Sequence, residues 1–136
     1  MLIAFFADIH ANRQALSACL AQARDHGAER FVLLGDYVGY GADPEWTMTA
    51  VMDLVDKGAM AVLGNHDSAI GNPREQMNVE AKIAIEWTRG ELGHAQREFL
   101  AGLPLTLEES GRLYVHADAS NPKGWNYVAS VADAAR

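Results

Sequence analysis

The pattern that most constrains this chain is an alternation of short apolar runs with helical periodicity. Four runs stand out: LIAFFA (2–7), FVLL (31–34), MAVL (60–63) and RLYV (112–115). Each is four to six residues long and bounded by turn residues, which reads as buried strand. Between the first three the period changes. Ala15, Leu16, Cys19, Leu20 and Ala23 recur at three- and four-residue spacing, predicting a helix over 12–26 that ends near Gly27. Asp43 followed by Pro44 predicts a second helix start, with Trp46, Met48, Val51, Leu54 and Val55 on its apolar side. Parallel strands need crossover connections, so strand–helix–strand–helix–strand predicts an α/β fold with a parallel-sheet core.

Beyond the third run, SAIGNPREQMN (68–78) contains Gly71 and Pro73 and predicts an irregular loop. Asn78 then predicts the cap of a helix reaching about Leu92, with Val79, Ile83 and Trp87 as its apolar stripe. A short helix is expected over 94–101, stopped by Gly102 and Pro104, and LTLEESGRLYV (105–115) predicts a hairpin turning near Gly111. The 136 residues, 49% hydrophobic and 21% charged, fit one domain over 1–136 with a core of its own. Cys19 sits among apolar residues and is expected to be a buried thiol, with no partner for a disulfide. The run at 2–7 is too short to cross a bilayer and has no basic stretch before it, so the expectation is a cytoplasmic protein without a membrane partner. The net charge of -7 argues against a broad nucleic-acid surface. It leaves room for an anionic substrate, because bound cations can reverse the local field.

The polar residues carry the functional signal. Asp8 and His10 follow the first apolar run, and Asp36 follows the second behind Gly35. Asn65, His66 and Asp67 follow the third behind Gly64, and His116 follows the fourth. In open α/β sheets ligands bind beyond the carboxyl ends of the strands, where all of these fall. Together they offer carboxylate and amide oxygens with imidazole nitrogens and no thiolate, a donor set suited to Mn, Fe or Zn. A shared carboxylate could bridge two such ions, as in phosphatases and nucleases. Taken singly, Asp8 could be a helix cap and His116 a structural histidine. His26 and His94 fall on predicted helices away from strand ends and read as surface groups.

The ordered blocks DIH (8–10), GDYVGYG (35–41), GNHD (64–67) and VH (115–116) resemble the calcineurin-like metallophosphoesterases. GDYVGYGADPEW and VHADASNPKGWNYV are similar to a small bacterial phosphoesterase branch of that family. The resemblance implies a two-sheet sandwich fold, a dinuclear centre of divalent ions, and hydrolysis of a phosphomonoester or phosphodiester by hydroxide supplied at that centre. It assigns Asp8 and His10 to the first ion, Asp36 to the bridge, and Asn65 and His116 to the second ion. His66 would serve the leaving group or steady the transition state, and Asp67 would orient His66. The resemblance also leads one to expect a small phosphorylated substrate.

The family pattern also has a Gly-His-x-His block that gives one histidine to each ion, and no such block occurs up to Arg136. The expectation is therefore an incomplete version of the sandwich. It would hold its ions weakly unless a longer chain, a neighbouring subunit or a residue such as Asp118 completes the site. Apolar surface left uncovered would favour a homo-oligomer. Two rival readings follow: a catalytically weak metal-binding remnant or regulatory protein of the same fold, and a nuclease of the same superfamily. Arg13 and Tyr40 are weaker candidates for substrate contact. Tyr37 has a packing alternative, Trp46, Trp87 and Trp125 read as core or interface anchors, and Lys123 carries no role.

Overall fold

A computed structural model of the chain describes residues 1–135, so Arg136, the last residue of the expected domain, lies outside it. Strands β1 (Ile3–Phe6), β2 (Arg30–Leu33) and β3 (Met60–Ala61) form a parallel sheet in the order β1-β2-β3. Ile3 pairs with Arg30 and Phe6 with Leu33, while Val32 pairs with Met60. Helices α1 (Arg13–Asp25) and α2 (Pro44–Asp56) are the two crossovers.

Local chemistry explains the helix ends. The Asn12 carboxamide oxygen accepts from the Ala15 amide at 3.0 Å and starts α1. Gly27 stops it at φ +77°, where the Gly27 and Ala28 amides donate back to the carbonyls of Arg24 and Ala23. Asp43 occupies the cap position of α2 but makes no side-chain capping bond; Pro44, with φ preset, opens that helix instead.

Period-2 alternation along β2 separates two apolar layers. Leu33 faces the helices and joins Leu16, Leu20, Tyr37, Met48 and Val51 in the larger core. Val32 faces the other way, against Val62 and Tyr114. Tyr114 comes from an antiparallel hairpin of β4 (Thr106–Glu109) and β5 (Arg112–Val115), turning at Ser110 and Gly111, both at positive φ. The fourth apolar run therefore belongs to a second, two-stranded sheet laid on the first. An ion pair of 2.8 Å between Arg30 and Glu109, and a 2.8 Å bond from the Leu63 amide to the Pro104 carbonyl, tie the two together. This is the expected α/β architecture, with part of a second sheet present.

Several expectations change. Residues 68–71, read as loop, belong to helix α3 (Asn65–Gly71), because the polar GNHD block itself forms the first turn. The periodicity was hidden there by Gly71 and Pro73, which mark the end of the helix rather than its absence. Asn78 caps helix α4 (Val79–Glu91), accepting from Ala81 at 2.8 Å. The apolar stripe of α4 does not face the core, however: Val79, Ile83 and Trp87 are 72%, 64% and 47% exposed, while Ala81, Ile85 and Thr88 are buried. Cys19 is also exposed, since the buried edge of α1 is the narrow pair Leu16 and Leu20. Helix α5 (His94–Gly102) follows, and both His26 and His94 are surface groups. Among the described residues no helix is long and apolar enough to cross a membrane.

Candidate metal centre

The loops after β1 and β2 continue the pairing of their strands. Backbone bonds run from Asp8 to the Gly35 carbonyl (3.1 Å), from His10 to Asp36 (2.9 Å) and from Ala11 to Tyr37 (2.8 Å). Asp8, His10, Ala11, Asp36 and Tyr40 all lie at φ between +47° and +62° in these loops, although none is glycine. Side chains are disfavoured there, and such strain persists only where surrounding contacts over-determine it. Glycines permit the close approach. A Cβ on Gly64 would strike the Asp36 carboxylate, one on Gly41 the His10 carbonyl, and one on Gly39 the His66 ring.

Asp36 is the hub. Its Oδ1 accepts from the His66 amide at 2.9 Å. Its Oδ2 lies 3.7 Å from His10 Nε2 and 3.5 Å from His116 Nε2. His10 Nε2 is also 3.8 Å from Asp8 Oδ1, and Asn65 Oδ1 is 3.1 Å from His116 Nε2. The structure thus gathers Asp8, His10, Asp36, Asn65 and His116 at one place. Two overlapping groups have ligand atoms within 4.8 Å of one another: Asp8, Asp36 and His116, and His10, Asp36 and His66. Asp36 belongs to both.

The histidine orientations suit a cation. His10 Nδ1 sits 3.0 Å from the Val38 carbonyl and His116 Nδ1 2.7 Å from the Leu34 carbonyl. A carbonyl can only accept, so each Nδ1 carries a proton, and Nε2 is the ring atom directed toward Asp36. Backbone acceptors of this kind fix the tautomer of metal-ligating histidines. Residue-by-residue reading of the sequence could not find Leu34 and Val38 in this role, because their side chains have no part in it.

Charge placement follows. Burial opposes a charge on His116, but the hydrogen bond and charge of Asp36 outweigh it, raising the pKa to about 9. Burial alone would raise Asp36, yet His116 beside it holds the carboxyl below its usual range. The imidazolium–carboxylate pair holds a proton where a cation would compete for the same atoms. His66 lies deeper. Burial is the main cause that lowers its pKa, and its Nδ1 has no hydrogen-bond partner among the described residues. Its ring centre is 4.7 Å from those of both His10 and Tyr40.

Asp67 is a correction. It does not orient His66. Oδ2 accepts from the amides of Asp36 (2.8 Å) and Gly64 (3.0 Å), and Oδ1 from those of Tyr37 (2.9 Å) and Val38 (3.4 Å). The carboxylate clamps the loop after β2 to the start of α3, and so holds Asp36 in place. Arg13 is a second correction: its guanidinium lies over the Trp46 ring, 5.0 Å from the centroid, in a cation–π contact rather than at the Asp36 cluster. Tyr40 does border the site. Tyr37 is packing, its hydroxyl donating to the Val62 (2.6 Å) and Leu33 (3.0 Å) carbonyls. Trp125, read as a core or interface anchor, instead stands with its ring 6.0 Å from that of His116. Asp118 is turned to its own loop, accepting from the Ser120 and Asn121 amides at 2.9 and 3.0 Å.

Known proteins are similar to this chain in sequence and fold. The chain is 34% identical over 133 residues to an uncharacterized protein of Methanocaldococcus jannaschii, an alignment covering 93% of this chain and 54% of that protein. A crystal structure of a metallophosphoesterase from Sphaerobacter thermophilus is similar with a TM-score of 0.78 and 30% identity, over 93% of this chain and 50% of that one. A hypothetical protein from Pyrococcus horikoshii is similar with a TM-score of 0.75 and 26% identity, over 90% and 57% of the two chains. The chain thus spans about half the length of these relatives. The model of the calcineurin-like phosphoesterases matches residues 1–132, which takes in every strand end that contributes to the Asp36 cluster, and the chain belongs to that family.

Proposed function

We propose that this protein hydrolyses a phosphate ester, a monoester or a diester, at a centre of two divalent cations such as Mn, Fe or Zn. The observation that supports it most is the position of Asp36, whose one oxygen faces the Nε2 atoms of both His10 and His116. The donors fit: oxygen and imidazole ligands, no thiolate, and two rings whose Nδ1–H groups are taken by carbonyls, so that Nε2 is the atom each would offer an ion. Asp8, His10 and Asp36 would hold one ion, and Asp36, Asn65 and His116 the other. Bound there, divalent cations would supply positive charge for phosphate oxygens and lower the pKa of water.

The remaining work falls to the chain itself. Asp67 keeps the Asp36 loop from moving, and the carbonyls of Val38 and Leu34 keep two rings aimed. His66 is neutral near pH 7 because burial depresses its pKa. The neutral ring would offer the departing oxygen a hydrogen bond, and its minor imidazolium form would be the one to pass a proton there, returning to the neutral ring. Tyr40 closes one side of His66 and limits the approach of substrate.

Titration of Mn or Zn into metal-free protein, followed by calorimetry alongside a nitrophenyl phosphate ester assay, tests this reading. Two ions per chain and hydrolysis that requires both are expected. Binding of ions without hydrolysis of either ester class would favour the rival, a metal-binding remnant.

A further inference from the structure

A cavity of about 620 Å³ opens beside the cluster, within the range of small-molecule sites. Asn65 and His66 form the edge it shares with the metal centre, and Tyr40, Trp125 and Tyr127 bring three aromatic rings to its wall. Lys123 also lines it. The cavity's one acidic residue, Glu75, is engaged by the Ser68 hydroxyl (2.9 Å) and the Asn72 side-chain carboxamide nitrogen (3.3 Å). Lys123 has no ion-pair or hydrogen-bond partner among the described residues.

The wall that carries Lys123 and Trp125 is built rather than loose. Asp118 gathers the Ser120 and Asn121 amides and the Ser120 hydroxyl. The Gly124 amide closes a 3-10 turn, Pro122–Gly124, by donating to the Asn121 carbonyl at 2.9 Å. A Cβ on Gly124 would strike the Asn121 side chain, so the turn is packed against itself. Trp125 follows at φ +51°, which turns its ring toward His116.

Flat aromatic faces accept planar rings with little demand on their identity, and an unpaired ammonium seeks an anion. We infer that this cavity binds the nucleoside part of a nucleotide substrate, its base against Trp125, Tyr127 and Tyr40 and a second phosphate at Lys123. The inference rests on the phosphoesterase reading for the position of the first phosphate, at the Asp36 cluster. It assigns a substrate class to residues outside the ligand set.

The test uses two probes that resist hydrolysis between their phosphates: the α,β-methylene analogue of adenosine diphosphate, and methylenediphosphonate, which has the same anions and no ring. Binding to the purified protein is measured by calorimetry, and nitrophenyl ester hydrolysis is measured separately. The nucleotide analogue should bind at least tenfold more tightly than the ring-free probe. Trp125→Ala should abolish most of that preference, and Lys123→Ala should weaken the nucleotide analogue at least fivefold. Both side chains are partly or fully exposed, so these variants should keep the melting temperature of the parent. Equal affinity for the two probes, or variants indistinguishable from the parent, would overturn the inference. Ester hydrolysis without ring preference sinks the nucleotide pocket alone. Ring preference without any hydrolysis keeps the pocket and sinks the phosphoesterase reading.

Discussion

The loop after β2 with the first turn of α3, and the loop after β5, meet at the same place but are held by opposite means. The first pair, 35–41 and 64–67, is cross-linked: Asp67 from one binds four amides spread over both, and Asp36 from the other takes the His66 amide in return. The later loop, 117–128, holds itself through Asp118 and the Asn121 turn, and reaches the centre through His116 and Trp125. A mutually clamped pair cannot change without moving the ligands. A self-contained loop can vary its exposed side chains and leave the ligands where they are. The geometry thus separates a part suited to invariant chemistry from a part suited to choosing substrates.

The largest expected effect strikes the hub. Asp36→Asn should lose metal more completely than Asn65→Ala and bring ester hydrolysis below detection, as read by metal content per chain. Equal or greater loss in Asn65→Ala would remove Asp36 from the bridging role and weaken the idea of a clamped centre.

His66 comes next. His66→Gln should retain both ions while turnover falls about 10²–10⁴-fold, the scale of a positioned proton donor. The loss should shrink for a nitrophenolate leaving group, which needs little help to depart. Its place beside His10 and Asp36 makes the metal content decisive: an ion lost with His66 would make it a ligand.

Asp67→Ala probes the clamp itself. It strands up to four buried amides that a carboxylate now satisfies, so a stability loss of about 3 kcal/mol or more is expected. Thermal melting of the metal-free variant reads this directly. Ser120→Ala in the self-contained loop should shift the melting point far less; similar shifts would erase the contrast between the two regions.

The smallest effect is a pH dependence. His116 is protonated up to about pH 9 in the metal-free fold and must shed that proton to ligate. Apparent metal affinity should therefore climb about tenfold per pH unit from about 6.5 toward 9, with a proton released on binding. For stability the sign is opposite. The raised pKa contributes stability to the metal-free protein that is fully present below about 6.5 and is lost as pH rises through about 9. Calorimetry in two buffers of different ionisation enthalpy counts the proton, and a count of zero would contradict the imidazolium.

Sequence and structure divide along a physical line. Strand and helix order was legible because burial imposes period 2 or 3.6 on a linear pattern, and Asp8, Asp36, Asn65 and His116 were legible because each ends an apolar run. The alternation of strand and helix also sufficed for the parallel sheet, since parallel neighbours require crossovers. Which side of α4 is buried was not legible. Val79, Ile83 and Trp87 form a proper helical stripe, yet the core packs against Ala81, Ile85 and Thr88. Hydropathy records what a face could bury, and only the neighbours decide what covers it. The role of Asp67 was hidden for a similar reason, because three of its four partners are backbone amides about 30 residues away that carry no side-chain signature. The sequence by itself determined the kind of atoms available to a cation and their order along the chain. Tertiary structure alone decided which lone pairs face one another, because tautomer, clamp and close approach depend on carbonyls, amides and glycines that meet only when the sheet has formed.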